Sequence, residues 1–262
     1  MSKSKDKKTK DSGEKQTIGG FIFETGKTVI IAVLIAFLVS TFLYRPFRIP
    51  SGSMEPTLYK GDYLITSKYS LGYGKYAAPF VNLPIKKGRI FEREPERGDI
   101  IVFKPVGSKV HYIKRLVGLP GDEVQMKNGV LFINGAEQKA EEISVTTQTD
   151  QAGNPFKFRQ YKEFFADTKS EHMVLDKQIG SKADNTGIYH IPTGKYFFMG
   201  DNRDNSLDSR FPSNVGGVGY VPASHLVGRA EFILLSVEEG FSIKKPWTWG
   251  KMRGDRFFKG LR

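Results

Sequence analysis

From Val29 to Tyr44 the chain reads VIIAVLIAFLVSTFLY, without one charged side chain. No other segment has membrane length. As a helix this run rises about 24 Å, a little short of a hydrocarbon core about 30 Å thick. Extension back to Phe21 closes the gap and takes in Glu24 and Lys27. Near the end of a span a lysine snorkels to the headgroups, and an acid costs less than at midplane. A cleaved leader is the rival explanation. The residues that follow, Arg45-Pro46-Phe47-Arg48-Ile49-Pro50, offer no small-x-small cleavage site. The expectation is one retained transmembrane helix over residues 21–44.

Residues 1–20 carry Lys3, Lys5, Lys7, Lys8, Lys10 and Lys15 among Ser, Asp and Gly. Such a segment buries no apolar area and is expected to be a disordered basic tail. Close to the span, Lys10, Lys15 and Lys27 on one side are nearly balanced by Arg45, Arg48 and Lys60 on the other. The positive-inside rule therefore leans only mildly toward a cytoplasmic amino terminus. A net charge of +12 suits anionic lipid as well as nucleic acid. The absence of cysteine removes thiol nucleophiles, disulfides and thiolate metal sites together.

Past residue 45 no sustained 3.6-residue apolar period occurs, and short strands alternate with turns. Asp99–Phe103, Lys195–Met199 and Glu231–Val237 read as strands. Glu123–Lys127, Asn128-Gly129 and Val130–Asn134 read as a hairpin with a type I′ turn. The expected fold is mainly β, with residues 45–262 as one domain. Glu141–His190 is polar, contains the turn signal Ala152-Gly153-Asn154-Pro155, and reads as an excursion. The last residues mix Trp247, Trp249, Phe257 and Phe258 with Lys251, Arg253, Arg256 and Lys259. That mixture suits a headgroup interface, stacking on bases, or a cap on the core.

Two polar segments stand out. Pro50-Ser51-Gly52-Ser53-Met54-Glu55-Pro56 is a turn just past the span, where a serine is exposed enough to attack a carbonyl. Gly200 to Arg210, GDNRDNSLDSR, lies between apolar runs and must be a loop whose side chains hold one another. A serine nucleophile needs a base. None of His111, His172, His190 and His225 sits in a distinctive motif, so the residues alone leave a histidine triad open. Lys114 shares a strand face with Val110, Tyr112 and Leu116, and Arg115 takes the other face. Apolar company lowers a lysine pKa, and a fall from about 10.4 to 7–8 corresponds to roughly 4 kcal/mol. From this segment alone a strand-edge lysine stays open too. The acid spacing of the Gly200–Arg210 loop fails the EF-hand pattern.

Four segments occur in order behind the apolar run: Pro50–Thr57, Arg97–Phe103, Lys114–Asp122 and Gly200–Arg210. Together they closely resemble the sequence boxes of bacterial type I signal peptidases, which work through a serine–lysine dyad. The resemblance covers roughly residues 29–135 and 191–236. It implies a signal-peptidase/LexA-like β fold with a β subdomain inserted at about 136–192. It implies Ser53 as nucleophile, Lys114 as general base, and the Ser51 hydroxyl with the Ser53 N–H as oxyanion hole. Ser206 would orient the lysine amine, Asp201 would pair with Arg115, and Asp208 with Arg210 would brace the loop. No cofactor and no metal is implied. The implied enzyme removes signal peptides from exported preproteins after small residues at −3 and −1. It would be single-pass in the bacterial plasma membrane, with its amino terminus cytoplasmic and its catalytic domain outside. Membrane lipids and the secretion translocon would be its partners, and nucleic acid would not. The rival readings are a LexA-like self-cleaving protein, which would need a DNA-binding module, and a non-enzymatic membrane-surface module.

Overall fold

The computed structural model describes residues 18–77, 82–85, 88–149, 155–177, 181 and 183–261. Lys3 to Lys15 and the turn at Ala152-Gly153-Asn154 lie outside the described residues. The chain divides into two units, one ending at Val39 and one beginning at Ser40. The first is built on helix α1, Ile18–Phe42, whose 25 residues rise about 38 Å. By length and composition α1 is able to cross a membrane. Phe21, Ile22, Ile30, Leu34 and Phe37 are all exposed on it. An apolar helix bare on every side is stable in lipid rather than in water.

The second unit is mainly β. Its strands in chain order begin with β1 (Tyr44–Arg48), β2 (Asp62–Ser67), β3 (Ile100–Phe103), β4 (Tyr112–Gly118) and β5 (Glu123–Lys127). Next come β6 (Val130–Ile133), β7 (Ala136–Glu137), β8 (Ala140–Thr149), β9 (Pro155–Phe165) and β10 (Ser170–Asp176). The last are β11 (Tyr189–His190), β12 (Lys195–Met199), β13 (Val221–Pro222), β14 (Leu226–Ser236) and β15 (Lys259–Gly260). Among the described residues the largest sheet has the order β1-β2-β14-β3-β4-β12-β13, with β15 paired to β14. Tyr44, expected in the anchor, opens β1 instead, opposite Ser67.

Asn128 and Gly129 both have positive φ, +50° and +80°, as the type I′ turn between β5 and β6 requires. The excursion is not a separate body throughout. β8, β9 and β10 form a three-stranded sheet, but β7 and β11 pair with the β5–β6 hairpin. The core lies on both faces of the large sheet. Leu116 and Phe198 pack with Phe103 on one side, and Val117 and Phe197 pack with Val124 on the other. Met54, Leu58, Leu64 and Ile100 form a third cluster beneath the serine turn.

Two features tie the ends of this unit. A helix leaves its last carbonyls unpaired, and those of α1 are taken by the residues after β2. The Lys68 ammonium, fully buried, donates to the carbonyls of Ser40, Thr41 and Ala77. Tyr73 Oη donates to Phe42 O at 2.8 Å, and Lys68 N to Leu43 O at 2.9 Å. Burial, with Arg45 nearby, lowers the Lys68 pKa to about 8. At the carboxyl end, Arg256 donates to Asp62 Oδ2 at 2.6 Å and lies 4.2 Å over the Tyr59 ring. Arg253 donates to Ser236 Oγ at 2.7 Å. These two arginines, grouped at the sequence level with the lipid-facing cations, point inward and hold the tail to β2 and β14. Trp247 and Phe258 remain 80% and 71% exposed, so these two rings do not cap the core, whereas Phe257 is half-buried.

Candidate active site

The serine turn is set by its apolar neighbours. Met54 and Leu58 are fully buried, and the Leu58 N–H closes on Met54 O at 2.8 Å. This leaves Ser51 exposed and Ser53 half-buried at the surface of the turn. Ser51 Oγ and Ser53 Oγ are 3.4 Å apart. The Ser53 N–H donates to no described residue.

Lys114 reaches this turn from β4, opposite Ile101 of β3. It is buried, and its Nζ donates to Ser53 Oγ. Burial lowers its pKa to about 8; Asp208 and Asp201 oppose the shift, and Arg210 adds to it. The strand starts at Tyr112, and Val110, expected on the same face, is exposed before it. Because β4 is central, both its faces are covered, and Arg115 is as buried as Lys114. Arg115 makes a two-pronged pair with Asp201, Nε to Oδ1 at 2.8 Å and Nη2 to Oδ2 at 2.6 Å. Thr57 Oγ1 donates to the same Oδ2 at 2.6 Å. Burial alone would raise the Asp201 carboxyl, but Arg115 outweighs it and holds the pKa below its usual value.

The Gly200–Arg210 loop folds against the serine turn. Asp208 receives both Nε and Nη2 of Arg210 at 2.9 Å and the Gly200 N–H at 2.9 Å. Gly200 admits no side chain: a Cβ there would sit 2.3 Å from Ser206 Oγ and 2.5 Å from Ser53 O. Ser206 is buried beside it, and its Oγ has no hydrogen-bond partner among the described residues. The expected bond from Ser206 to the Lys114 amine is therefore not formed. Asn202, which the sequence reading did not single out, bonds the turn directly. Its N–H reaches Ser53 O at 3.2 Å and its Nδ2 reaches Gly52 O at 3.1 Å.

No histidine bonds Ser53. His225 Nδ1 lies 2.8 Å from Lys104 O, and His190 stands beside Glu123. His111, depressed to about 4 by burial and by Arg45, packs on Phe47. His172 is buried next to Glu163. A cavity of about 590 Å³ opens on the Arg115 side, between Thr57, His172 and Arg256, and neither Ser53 nor Lys114 lines it. Carboxylates of Asp176, Asp184 and Asp204 lie within 4.8 Å of one another. Ser181 donates to Asp184 and the Lys177 N–H to Asp204.

A serine hydroxyl held by a buried, easily deprotonated lysine is an arrangement for acyl transfer. A sequence profile of the family "Signal peptidase, peptidase S26" matches residues 22–235. The chain belongs to this family. The signal peptidase I of Rickettsia akari (strain Hartford) is 39% identical, over 87% of this chain and 89% of the relative. That of Rickettsia typhi (strain ATCC VR-144 / Wilmington) is 36% identical, over 91% and 96%. A crystal structure of a signal peptidase I from Enterococcus faecalis V583 is 24% identical and covers 52% of this chain and 97% of its own, with a TM-score of 0.30.

Proposed function

We propose that the chain is a membrane-anchored serine endopeptidase that cuts signal peptides from exported preproteins after small residues at −3 and −1. The observation that carries this is the contact between Lys114 Nζ, buried and depressed to about 8, and Ser53 Oγ. A neutral Lys114 takes the Ser53 proton as Oγ attacks the scissile carbonyl. The resulting oxyanion is held by the free Ser53 N–H and the Ser51 hydroxyl, each donor worth about 3 kcal/mol. The Lys114 ammonium then gives its proton to the amine of the mature protein, which departs as the C–N bond breaks and leaves the signal peptide as an ester on Ser53. Water, activated by the neutral lysine, attacks that ester and releases the signal peptide with a free carboxylate. Ser206, a buried hydroxyl without a partner among the described residues, is the proposed orienting group for the lysine amine.

The anchor is α1, in the bacterial plasma membrane with its amino end cytoplasmic and the catalytic unit outside, where translocated precursors emerge from the secretion machinery. The test is cleavage of a purified precursor in detergent. Ser53→Ala abolishes it with the fold intact, whereas Ser51→Ala leaves residual turnover because one oxyanion donor remains. Normal turnover by Ser53→Ala would refute the assignment.

A further inference from the structure

The sheet β8–β9–β10 contains neither Ser53 nor Lys114, and the reaction above gives it no part. It is nevertheless where the Gly200–Arg210 loop is held. Glu163 of β9, 2% exposed, pairs with the guanidinium of Arg203 in the middle of the loop. From β10, the Leu175 N–H donates to Asp201 O at 2.8 Å, and Leu175 forms a parallel bridge with Asn202. The other side of the loop meets the nucleophile, through the Asn202 bonds to Gly52 O and Ser53 O. The Arg203 carbonyl also accepts from Arg210, which grips Asp208. One continuous set of contacts therefore runs from the inserted sheet to the serine turn.

We propose that Glu163 is a positioning residue, which through Arg203 fixes the loop that sets Ser53 against Lys114. The proposal rests on the assignment of those two as nucleophile and base. The charges around them give it a sign. Glu163 is faced by Arg203 and His172. Arg203 interacts also with Asp201 and Asp208, the two carboxylates that favour the Lys114 ammonium, while Arg210 opposes it. Loss of the Glu163 charge leaves Arg203 uncompensated beside those carboxylates and disfavours the ammonium. Loss of the Arg203 charge does the reverse.

The experiment measures precursor cleavage by the full-length protein in detergent as a function of pH. Glu163→Gln lowers kcat about tenfold with KM unchanged. It also moves the acid limb of the profile to lower pH by about half a unit. Arg203→Gln lowers kcat as well but moves the limb to higher pH. Glu163→Asp keeps the charge and leaves the limb at its wild-type position. A merely structural role would reduce the amplitude in both variants without opposed displacements. Limbs that stay in place, or shift in the same direction, overturn the proposal; if one variant fails to fold by thermal melting, the other alone decides it. Ser53→Ala separates the two levels. Inactive Ser53→Ala with unmoved limbs sinks the role of Glu163 alone, and active Ser53→Ala sinks the site assignment together with it.

Discussion

Among the described residues two lysines are buried, Lys68 and Lys114, and burial lowers both to about 8. What they touch separates them. Lys68 meets only carbonyl oxygens, which accept and never give up a proton. Lys114 meets a hydroxyl, which has a proton to lose. The pH dependence follows with a definite sign. The base form of Lys114 is scarce below about pH 8 and dominant above it, so cleavage rises with pH through that value. Initial rates of precursor cleavage measured between pH 6 and 10 check this; a rate that falls across the interval would exclude a neutral lysine. Lys114→Arg stays protonated and loses about 10²–10⁴ of the rate, and retained activity would rule out the base role. As candidates, Ser53 and Lys114 were legible from a proline-bracketed turn and an apolar strand face; their pairing as nucleophile and base came only from the resemblance of four ordered segments to signal peptidases. Lys68 was not legible. It sits in Ser67-Lys68-Tyr69-Ser70, which reads as a solvated turn, and its partners are main-chain atoms that no side-chain pattern marks.

Among the elements, the β5–β6 hairpin was predictable to within one residue, β6 ending at Ile133 and not Asn134, because Asn128-Gly129 encodes its turn in two adjacent positions. β15 was not, since Lys259-Gly260 becomes a strand only by meeting Phe232 and Ile233 of β14. The tail is held there by charge pairs whose members lie far apart in the chain. Asp62 is fully buried and receives Arg256 at 2.6 Å, with Arg253 at 3.5 Å. Removing one partner of such a pair leaves a buried charge uncompensated, at a cost of about 3–5 kcal/mol. Arg256→Ala therefore lowers the denaturant midpoint by a corresponding amount, read from urea unfolding of the catalytic unit. A surface tether, by contrast, would change it by less than about 1 kcal/mol. The same contrast explains why the aromatic and basic residues of the tail resisted a common interpretation. Their composition was visible, but the inward direction of Arg253 and Arg256 is decided by Asp62 and Tyr59, nearly 200 residues upstream.

For the whole molecule, the span and the serine are linked by Arg45 to Gly52, eight residues that cover at most about 29 Å. On the reading proposed above, that tether keeps the nucleophile within reach of the plane where a signal peptide leaves the lipid. Trp247, Trp249 and Phe258 are exposed, as are Lys251 and Lys259, a mixture of the kind that headgroups favour, and we propose it as a second contact. A chain beginning at Ser40 is expected to bind anionic vesicles, less tightly in high salt and less tightly with both tryptophans replaced by alanine. No cosedimentation even at low salt would exclude the tail as a lipid contact. The joint at the end of α1 has a different consequence. Lys68 and Tyr73 grip the peptide oxygens of residues 40–42, and every amino acid supplies the same oxygen. The fitting is therefore blind to spelling. Evolution, or an experimenter, is free to exchange the greasy letters from Phe21 to Val39 for others of equal length, and the stretch of gene from Ser40 onward need not change to accept them.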